Sequence, residues 1–272
     1  MAGNSGLAHV TTPVTAVTRQ LPAWVTLLRA PNPGPMTLDG TNTWVLRVEE
    51  GAPAVVIDPG PADTAHLQAV AALGPVAGIL VTHGHFDHVE GVDQLRELTG
   101  APLLPAADAQ VAGLDITTIP TPGHTADSVC FLVSPTDPVD GAGPVMFTGD
   151  TILGRGTTVV AWPDGDLGDY LASLERLTDY PEVPALPGHG PALTDCAAAA
   201  SYYLAHRRAR LEQVRAAVTD GAVTPAEVVD RVYGDIDRSL REAAEWSVRA
   251  QLAYLNRPVR ESSPPARPLD QL

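Results

Sequence analysis

THGHFDH, residues 82–88, places three histidines and an aspartate within seven positions of a chain that holds eight histidines in all. The stretch follows an apolar run, GILVT (78–82), that reads as a strand. His83 and His85 stand two apart at the strand end, so both rings reach one side. Gly84 lets the chain turn between them with no side chain in the way. Asp87 and His88 come one turn later, at the start of a helical run, VEGVDQLREL (89–98). A single first-row ion takes three or four protein ligands. Four donors diverging from one loop imply two ions sharing the segment. Packing has no use for so many polar groups at the end of a buried strand.

Two ions need further donors, and three stand in suitable settings: His124 in PTPGHT (120–125), Asp150 in MFTGDT (146–151) and His189 in LPGHGP (186–191). Each follows a strand or extended run, in a loop shaped by Gly or Pro. A lone loop histidine is more often a surface residue than a ligand; the company of the 82–88 cluster changes that reading. All seven donors are nitrogen or oxygen, which suits two divalent ions, Zn first, with Mn or Fe also compatible.

The rest of the composition narrows the chemistry. All 17 basic residues are arginine, so there is neither a Schiff-base lysine nor a P-loop lysine. No GxSxG occurs, and Cys130 and Cys196 fit no metal spacing; they read as free thiols in a reducing compartment. MAGNSGLAHVTTPV (1–14) lacks the basic and apolar regions of an export signal, and no run approaches the ~18 apolar residues of a membrane span. A cytoplasmic protein with no membrane partner is expected, and homo-oligomer formation is compatible with the sequence. The net charge of −15 gives no general pull toward nucleic acid. Residues 200–272 nevertheless hold 11 arginines against 10 acids, while 1–199 hold 6 against 22.

Strands are predicted at 44–48, 54–58, 78–82, 116–119, 129–133 and 144–147, with helices at 62–73, 89–99 and 167–178 between them. The alternation and the apolar runs predict an α/β fold with sheets covered by helices on both faces. Near residue 195 the Gly/Pro punctuation gives way to helices at 196–218, 224–234 and 239–255. Thr224, Pro225 and Glu227 form a helix-start signal with a capping box. The division expected is a catalytic domain over 1–195, a helical annex over 196–258 and a disordered tail over 259–272.

HxHxDH, TPGHT, GD and PGHG, in that order, resemble the metallo-β-lactamase superfamily over about residues 40–195. The resemblance implies an αβ/βα sandwich with the ions at the sheet ends. It assigns His83, His85 and His124 to one ion, Asp87, His88 and His189 to the other, and Asp150 to a bridge. Asp58, in VVIDPG, then looks like the aspartate that orients the ligand loop. GDTILGRGTTV (149–159), YYLAHRRARLEQV (202–214) and TPAEVVDRVY (224–233) extend the likeness to the lactamase-β-like protein 2 family. That family carries a winged-helix-like annex and includes single-strand-specific endoribonucleases. The short, lysine-free LAYLNRPVRESSPP (252–265) leaves little room for a basic wing.

The mechanism this implies is hydrolysis by a hydroxide bridging two cations, with Asp87 taking or relaying the proton. Two substrate classes follow. One is single-stranded RNA, which would need His206, Arg207 and Arg210 of the AHRRAR helix, and Arg155, to face the cleft. Alternatively those arginines form the wet face of a helix and Arg155 is a solvated loop residue. The substrate is then a small acyl compound: thioester, lactone or β-lactam.

Overall fold

The structure is a computed structural model and describes residues 21–256, apart from 138, 140 and 142. The N-terminal stretch read above for an export signal and the tail expected at 259–272 lie outside the described residues.

Two sheets form the part of the chain before residue 195. The first contains β1 (Val25–Arg29), β2 (Asn42–Leu46), β3 (Ala54–Ile57) and β4 (Val76–Leu80) in that spatial order. β1, β2 and β3 pair antiparallel, while β3 and β4 pair parallel through the crossover helix α1 (Thr64–Ala72). The second contains β5 (Ala109–Val111), β6 (Leu114–Pro120), β7 (Val129–Pro135), β8 (Val145–Gly149) and β9 (Ala185–Pro187), again in order. Here only β8 and β9 are parallel, joined through α4 (Leu167–Leu177). The helices α2 (Phe86–Val89) and α3 (Val92–Thr99) follow β4.

β2, β3 and β8 are buried at every position, and β4 over its last three residues, which explains the apolar runs Trp44–Leu46, Ala54–Ile57, Ile79–Leu80 and Val145–Phe147. The prediction of helices on both faces of a sheet is corrected: each sheet has helices on one face and the other sheet on its second face. Trp24, Trp44, Leu46, Ile57 and Leu80 meet Phe131, Val133 and Phe147 between the sheets. Burial of each such side chain stabilises the fold by about 1.5–3 kcal/mol, and Trp44 meets Phe147 edge-on at 5.9 Å. Leu67 and Val70 of α1 and Leu95 of α3 cover the first sheet, and Tyr170 and Leu174 of α4 cover the second. β1, β5 and β9 were not foreseen. β5 and β9 have three residues each, too few for a periodic signal.

The helix predicted over 89–99 is two elements, α2 and α3, parted at Gly91, whose N–H donates to the Gly60 carbonyl at 2.9 Å. After β9 come α5 (Cys196–Thr219), α6 (Pro225–Val232) and α7 (Arg241–Leu255). The capping box forms as read: the Thr224 side chain accepts from Glu227 N–H, and Glu227 reaches back to the N-cap N–H. α5 serves both parts of the chain. Ala199, Ala200, Tyr203 and Leu204 pack with Tyr170 and Leu174 of α4 against the second sheet, whereas Val214 and Ala217 pack with Val228 and Val229 of α6 and Val248 of α7. Among the described residues no strand follows β9, and no helix is long and apolar enough to cross a membrane.

Strand direction positions the functional loops. β6 and β8 run the same way, because β7 pairs antiparallel with both, and β9 is parallel to β8. The loops after β6, β8 and β9 therefore leave one edge of the second sheet. The loops after the parallel pair β3 and β4 leave one edge of the first. Loops beyond the carboxyl ends of strands are where α/β folds build their sites.

Candidate metal centre

All seven residues singled out in the sequence come together at this edge. Their donor atoms form three overlapping groups, each within 4.8 Å: His83, His85 and His124; His83, His88 and Asp150; and Asp87, His88 and His189. The outer two match the division that the resemblance implied. Asp150 lies between them, with Oδ2 3.4 Å from His189 Nε2 and 3.8 Å from His124 Nε2.

The second nitrogen of each ring determines which atom faces the centre. Asp58 is buried in the left-handed region, at φ 51°, a conformation that aspartate tolerates. Its carboxylate accepts from Thr82 N–H at 2.8 Å and Thr82 Oγ1 at 2.7 Å, and its Oδ2 lies 2.8 Å from His88 Nδ1. The only Thr82 hydroxyl proton is thus engaged, so Thr82 Oγ1 accepts from His83 Nδ1–H at 3.1 Å. His124 Nδ1–H donates to the Val159 carbonyl at 2.6 Å, and His189 Nδ1–H points to the Gly40 carbonyl at 3.3 Å. Four rings are held as the tautomer with a bare Nε2 turned inward. His85 turns Nδ1 inward, 3.0 Å from both His83 Nε2 and His124 Nε2.

The arrangement fits divalent ions. Tetrahedral ligation with bonds of ~2.0–2.1 Å sets donor atoms ~3.3 Å apart, close to the 3.0 Å contacts of the three-histidine group. Asp150 Oδ1 is buried without a hydrogen-bond partner, and a buried carboxylate left so is costly unless a cation meets it. Charge is also unevenly shared. Burial lowers the pKa of His83 well below the usual range and lowers that of His124, which keeps both rings neutral and able to ligate. Burial opposes charge on His88 and His189 too, but Asp58 and Asp150 outweigh it at His88. Asp150 and Asp87 lift His189 to about 11. Burial would raise Asp150; His189 and His88 instead hold it well below the carboxylate range.

Stripping metal is therefore expected to lower Tm. An ion present at ~1,000 times its Kd adds ~4 kcal/mol, and each kcal/mol moves Tm by ~2–4 °C in a domain of 150–250 residues. Chelation should cost about 8–16 °C per ion removed. A Tm unchanged after verified metal removal would count against a cation site.

Several supporting residues carried no signal in the sequence. Thr41 Oγ1 donates to Asp87 Oδ2 at 3.2 Å and is itself held by Asn32 Nδ2 at 2.9 Å. Asn42 Nδ2 donates to the Pro187 and Gly190 carbonyls at 3.0 and 2.8 Å, and Trp44 Nε1 donates to Pro187 at 3.1 Å. These two side chains of β2 secure the loop that carries His189. Thr82 was within reach of sequence reading, since it directly precedes His83. The others act across 9 to 148 residues, and nothing local marks them. Gly149, at φ +46°, is also required, because a Cβ there would lie 2.5 Å from Thr82 Oγ1.

The four residues that an RNA substrate would need at the cleft are engaged as follows. Arg207 is buried, with its guanidinium 5.2 Å from the centre of the Tyr170 ring and bonded to the Thr158 carbonyl. Arg210 lies 4.4 Å over the Tyr233 ring and donates to Gln213 at 2.8 Å and to the Val232 carbonyl at 2.9 Å, joining α5 to α6. Arg155 pairs through both terminal nitrogens with Asp39. His206 stacks on Tyr202, and burial, followed by Arg207 and Arg210, pushes its pKa down to about 4. Cys130 and Cys196 are free and buried, and burial raises both thiol pKa values, Cys130 to about 11. Neither is a nucleophile at neutral pH.

Known proteins share both the fold and the sequence. The profile of the metallo-β-lactamase superfamily matches residues 36–116 and 102–189, and that of the β-lactamase-associated winged helix domain matches 224–257. A Caenorhabditis elegans protein named β-lactamase-like protein 2 homolog is 30% identical over 259 residues, spanning 85% of this chain and 83% of its own. An atrochrysone carboxyl ACP thioesterase of Aspergillus chevalieri is 33% identical over 260 residues, spanning 85% of this chain and 80% of its own. The crystal structure of a β-lactamase domain protein from Burkholderia ambifaria shares the fold, with a TM-score of 0.69 at 22% identity over 89% of this chain and 91% of that one. The chain thus belongs to the metallo-β-lactamase superfamily, as a hydrolase that ends in a β-lactamase-associated winged helix domain.

Proposed function

We propose that this hydrolase cleaves thioesters, using two divalent ions, zinc first among them, held by the seven donors. The observation that carries the reading is the engagement of the arginines. A strand of RNA would have to be met by guanidinium groups free to bind phosphate. Arg207 and Arg210 serve internal carbonyls and aromatic rings, Arg155 is neutralised by Asp39, and the depressed pKa of His206 leaves it uncharged at neutral pH. The net charge of −15 adds repulsion. Relatives named as thioesterases at 31% and 33% identity support the same choice.

When bound, a pair of cations supplies Lewis acidity toward the scissile carbonyl and lowers the pKa of a water near it. The chain itself supplies position and a route for the proton. Asp58, Thr82, Gly40 and Val159 keep the ring lone pairs directed inward, so no reorganisation is needed during reaction. Asp87, its side chain 27% exposed against 10% for Asp150, is the carboxylate that reaches solvent, and it passes the proton outward. Thr41 holds Asp87 Oδ2 in place for that task. A thiol leaving group, with a pKa of about 8.5, departs as thiolate without a general acid.

The test is a panel under one set of conditions. Metal-loaded protein and the Asp150→Ala variant meet an acyl-phosphopantetheine thioester, a lactone, a cephalosporin and labelled single-stranded RNA. Turnover of the thioester by the wild type alone, with RNA intact, is expected. Metal-dependent internal cuts in RNA, with the thioester untouched, would reverse the assignment.

A further inference from the structure

The segment between Asp150 and α4 passes over His124 without forming a helix or strand over 151–166. It supplies both partners of the His124 Nδ1 atom: the Val159 carbonyl at 2.6 Å and Thr158 Oγ1 at 3.1 Å. Backbone bonds tie it down at Gly154, whose N–H donates to the His189 carbonyl at 2.9 Å, and at Ala161, whose N–H donates to the His124 carbonyl at 3.1 Å; between these two points side chains hold it. Two of them come from α5, the helix that runs into the winged helix domain. Tyr203, fully buried, accepts from Leu153 N–H at 3.0 Å, and its hydroxyl reaches the Gly156 carbonyl at 3.0 Å. One turn further, Arg207 bonds the Thr158 carbonyl, with its guanidinium stacked over Tyr170. Tyr170 in turn donates to the Thr151 carbonyl at 2.7 Å. A guanidinium buried with an unpartnered Nε is a costly way to fill a core. Packing alone would be served better by an apolar side chain.

We infer that Arg207, assisted by Tyr203, is a positioning residue for the three-histidine ion: it fixes residues 153–159 so that the Val159 carbonyl holds His124 Nδ1 and turns Nε2 onto the metal. The inference rests on the two-ion reading of the site and extends it to α5, the helix that leads into the winged helix domain. The chain of contacts runs from Arg207 through Thr158 and Val159 to His124, and ends 3.0 Å away at His85 Nδ1. Asp87 and the rings of His88 and His189 are held by Thr41, Asp58 and Gly40, which this chain of contacts does not touch; the 153–159 segment meets the His189 loop through backbone, with Gly154 N–H on the His189 carbonyl at 2.9 Å, and not through the ring. Arg207 should therefore govern one of the two ions and leave the other nearly unaffected. A residue that merely fills the core would weaken both alike or neither.

The test reads metal binding without substrate, so it stands apart from the choice between thioester and RNA. Full-length wild type, Arg207→Met, Arg207→Lys and Tyr203→Phe are equilibrated with zinc at buffered free concentrations, and bound metal is counted by elemental analysis. Cobalt spectra of the same proteins report the geometry of the ligand set. Wild type is expected to take two ions. In Arg207→Met one of the two affinities should fall by about 10–100-fold, the range for losing a residue behind a ligand, while the other stays within a few-fold. Arg207→Lys, which retains a donor, should recover part of the loss, and Tyr203→Phe should show a smaller loss in the same ion. If Arg207→Met does not fold, Tyr203→Phe, which loses only a hydroxyl, decides the matter. Folded variants that keep both ions at wild-type affinity would overturn the proposal, as would an equal weakening of both ions. Fewer than two ions in the wild type would overturn the two-ion reading and the proposal with it.

Discussion

Asp150→Ala is expected to lower kcat/KM by about 10³-fold or more, roughly 4 kcal/mol of transition-state stabilisation, and to leave less than two equivalents of metal on the protein. Asp150 is the one carboxylate set between the two donor groups. Its Oδ2 faces His189 and His124, and its Oδ1 lies 3.6 Å from His88 Nε2. No other side chain among the described residues makes up for Oδ1, which lacks any hydrogen-bond partner. If the site holds two ions as proposed, removal of Asp150 would take away a negative ligand placed between them and leave their mutual repulsion less offset. The fold should survive, because the cores between and outside the sheets do not include this residue. Metal content by elemental analysis and steady-state kinetics on the thioester give the readout. A variant that retains two ions and activity within about tenfold would remove Asp150 from the site.

Gly188→Ala should have an effect nearly as large, for a steric reason. A Cβ at this position would lie 2.6 Å from Asp150 Oδ1 and 2.6 Å from His88 Cε1. The backbone has no freedom to retreat: Gly188 N–H donates to the Gly149 carbonyl at 2.8 Å, and its own carbonyl accepts from Asn42 N–H at 2.7 Å. His88 is equally fixed by Asp58. Overpacking costs about 1–3 kcal/mol of stability, and displacing a reacting group by ~1 Å costs about 10²-fold in rate. The variant is expected to fold with a lowered Tm, to bind metal more weakly and to lose roughly two orders of magnitude in turnover. Wild-type metal affinity and rate in a folded Gly188→Ala protein would mean that the loop around His189 yields more readily than its hydrogen bonds imply.

The donor set was legible in the sequence because its chemistry is dense and local. Histidines two and five positions apart after an apolar strand leave little alternative to a metal, and GH and GD steps in Gly/Pro loops mark the remaining donors. The interior strands were legible for a similar reason, since burial on both faces produces unbroken apolar runs. The edge strands β1 and β5 were not, because an edge alternates weakly and stops early. Arg207 and Arg210 show the limit most plainly. HRRAR has the composition of a phosphate-binding face, yet on a helix Arg207 shares a side with the buried Tyr203 and Leu204, and that side faces the core.

By itself the sequence determined the reaction class, the seven histidines and aspartates that the fold gathers into one cluster, the α/β architecture and the helix start at Thr224, because each of these is written in side-chain chemistry or in periodicity over a few neighbouring positions. The tertiary structure alone decided which nitrogen of each ring faces inward, which backbone carbonyls hold it there, and which arginines are already engaged. Those outcomes depend on contacts between residues tens to more than a hundred positions apart, such as Asn42 with Gly190 and Arg207 with Thr158. Hydrogen-bond direction and burial at that range follow from how the two sheets and α5 close around the site, and no local pattern encodes them.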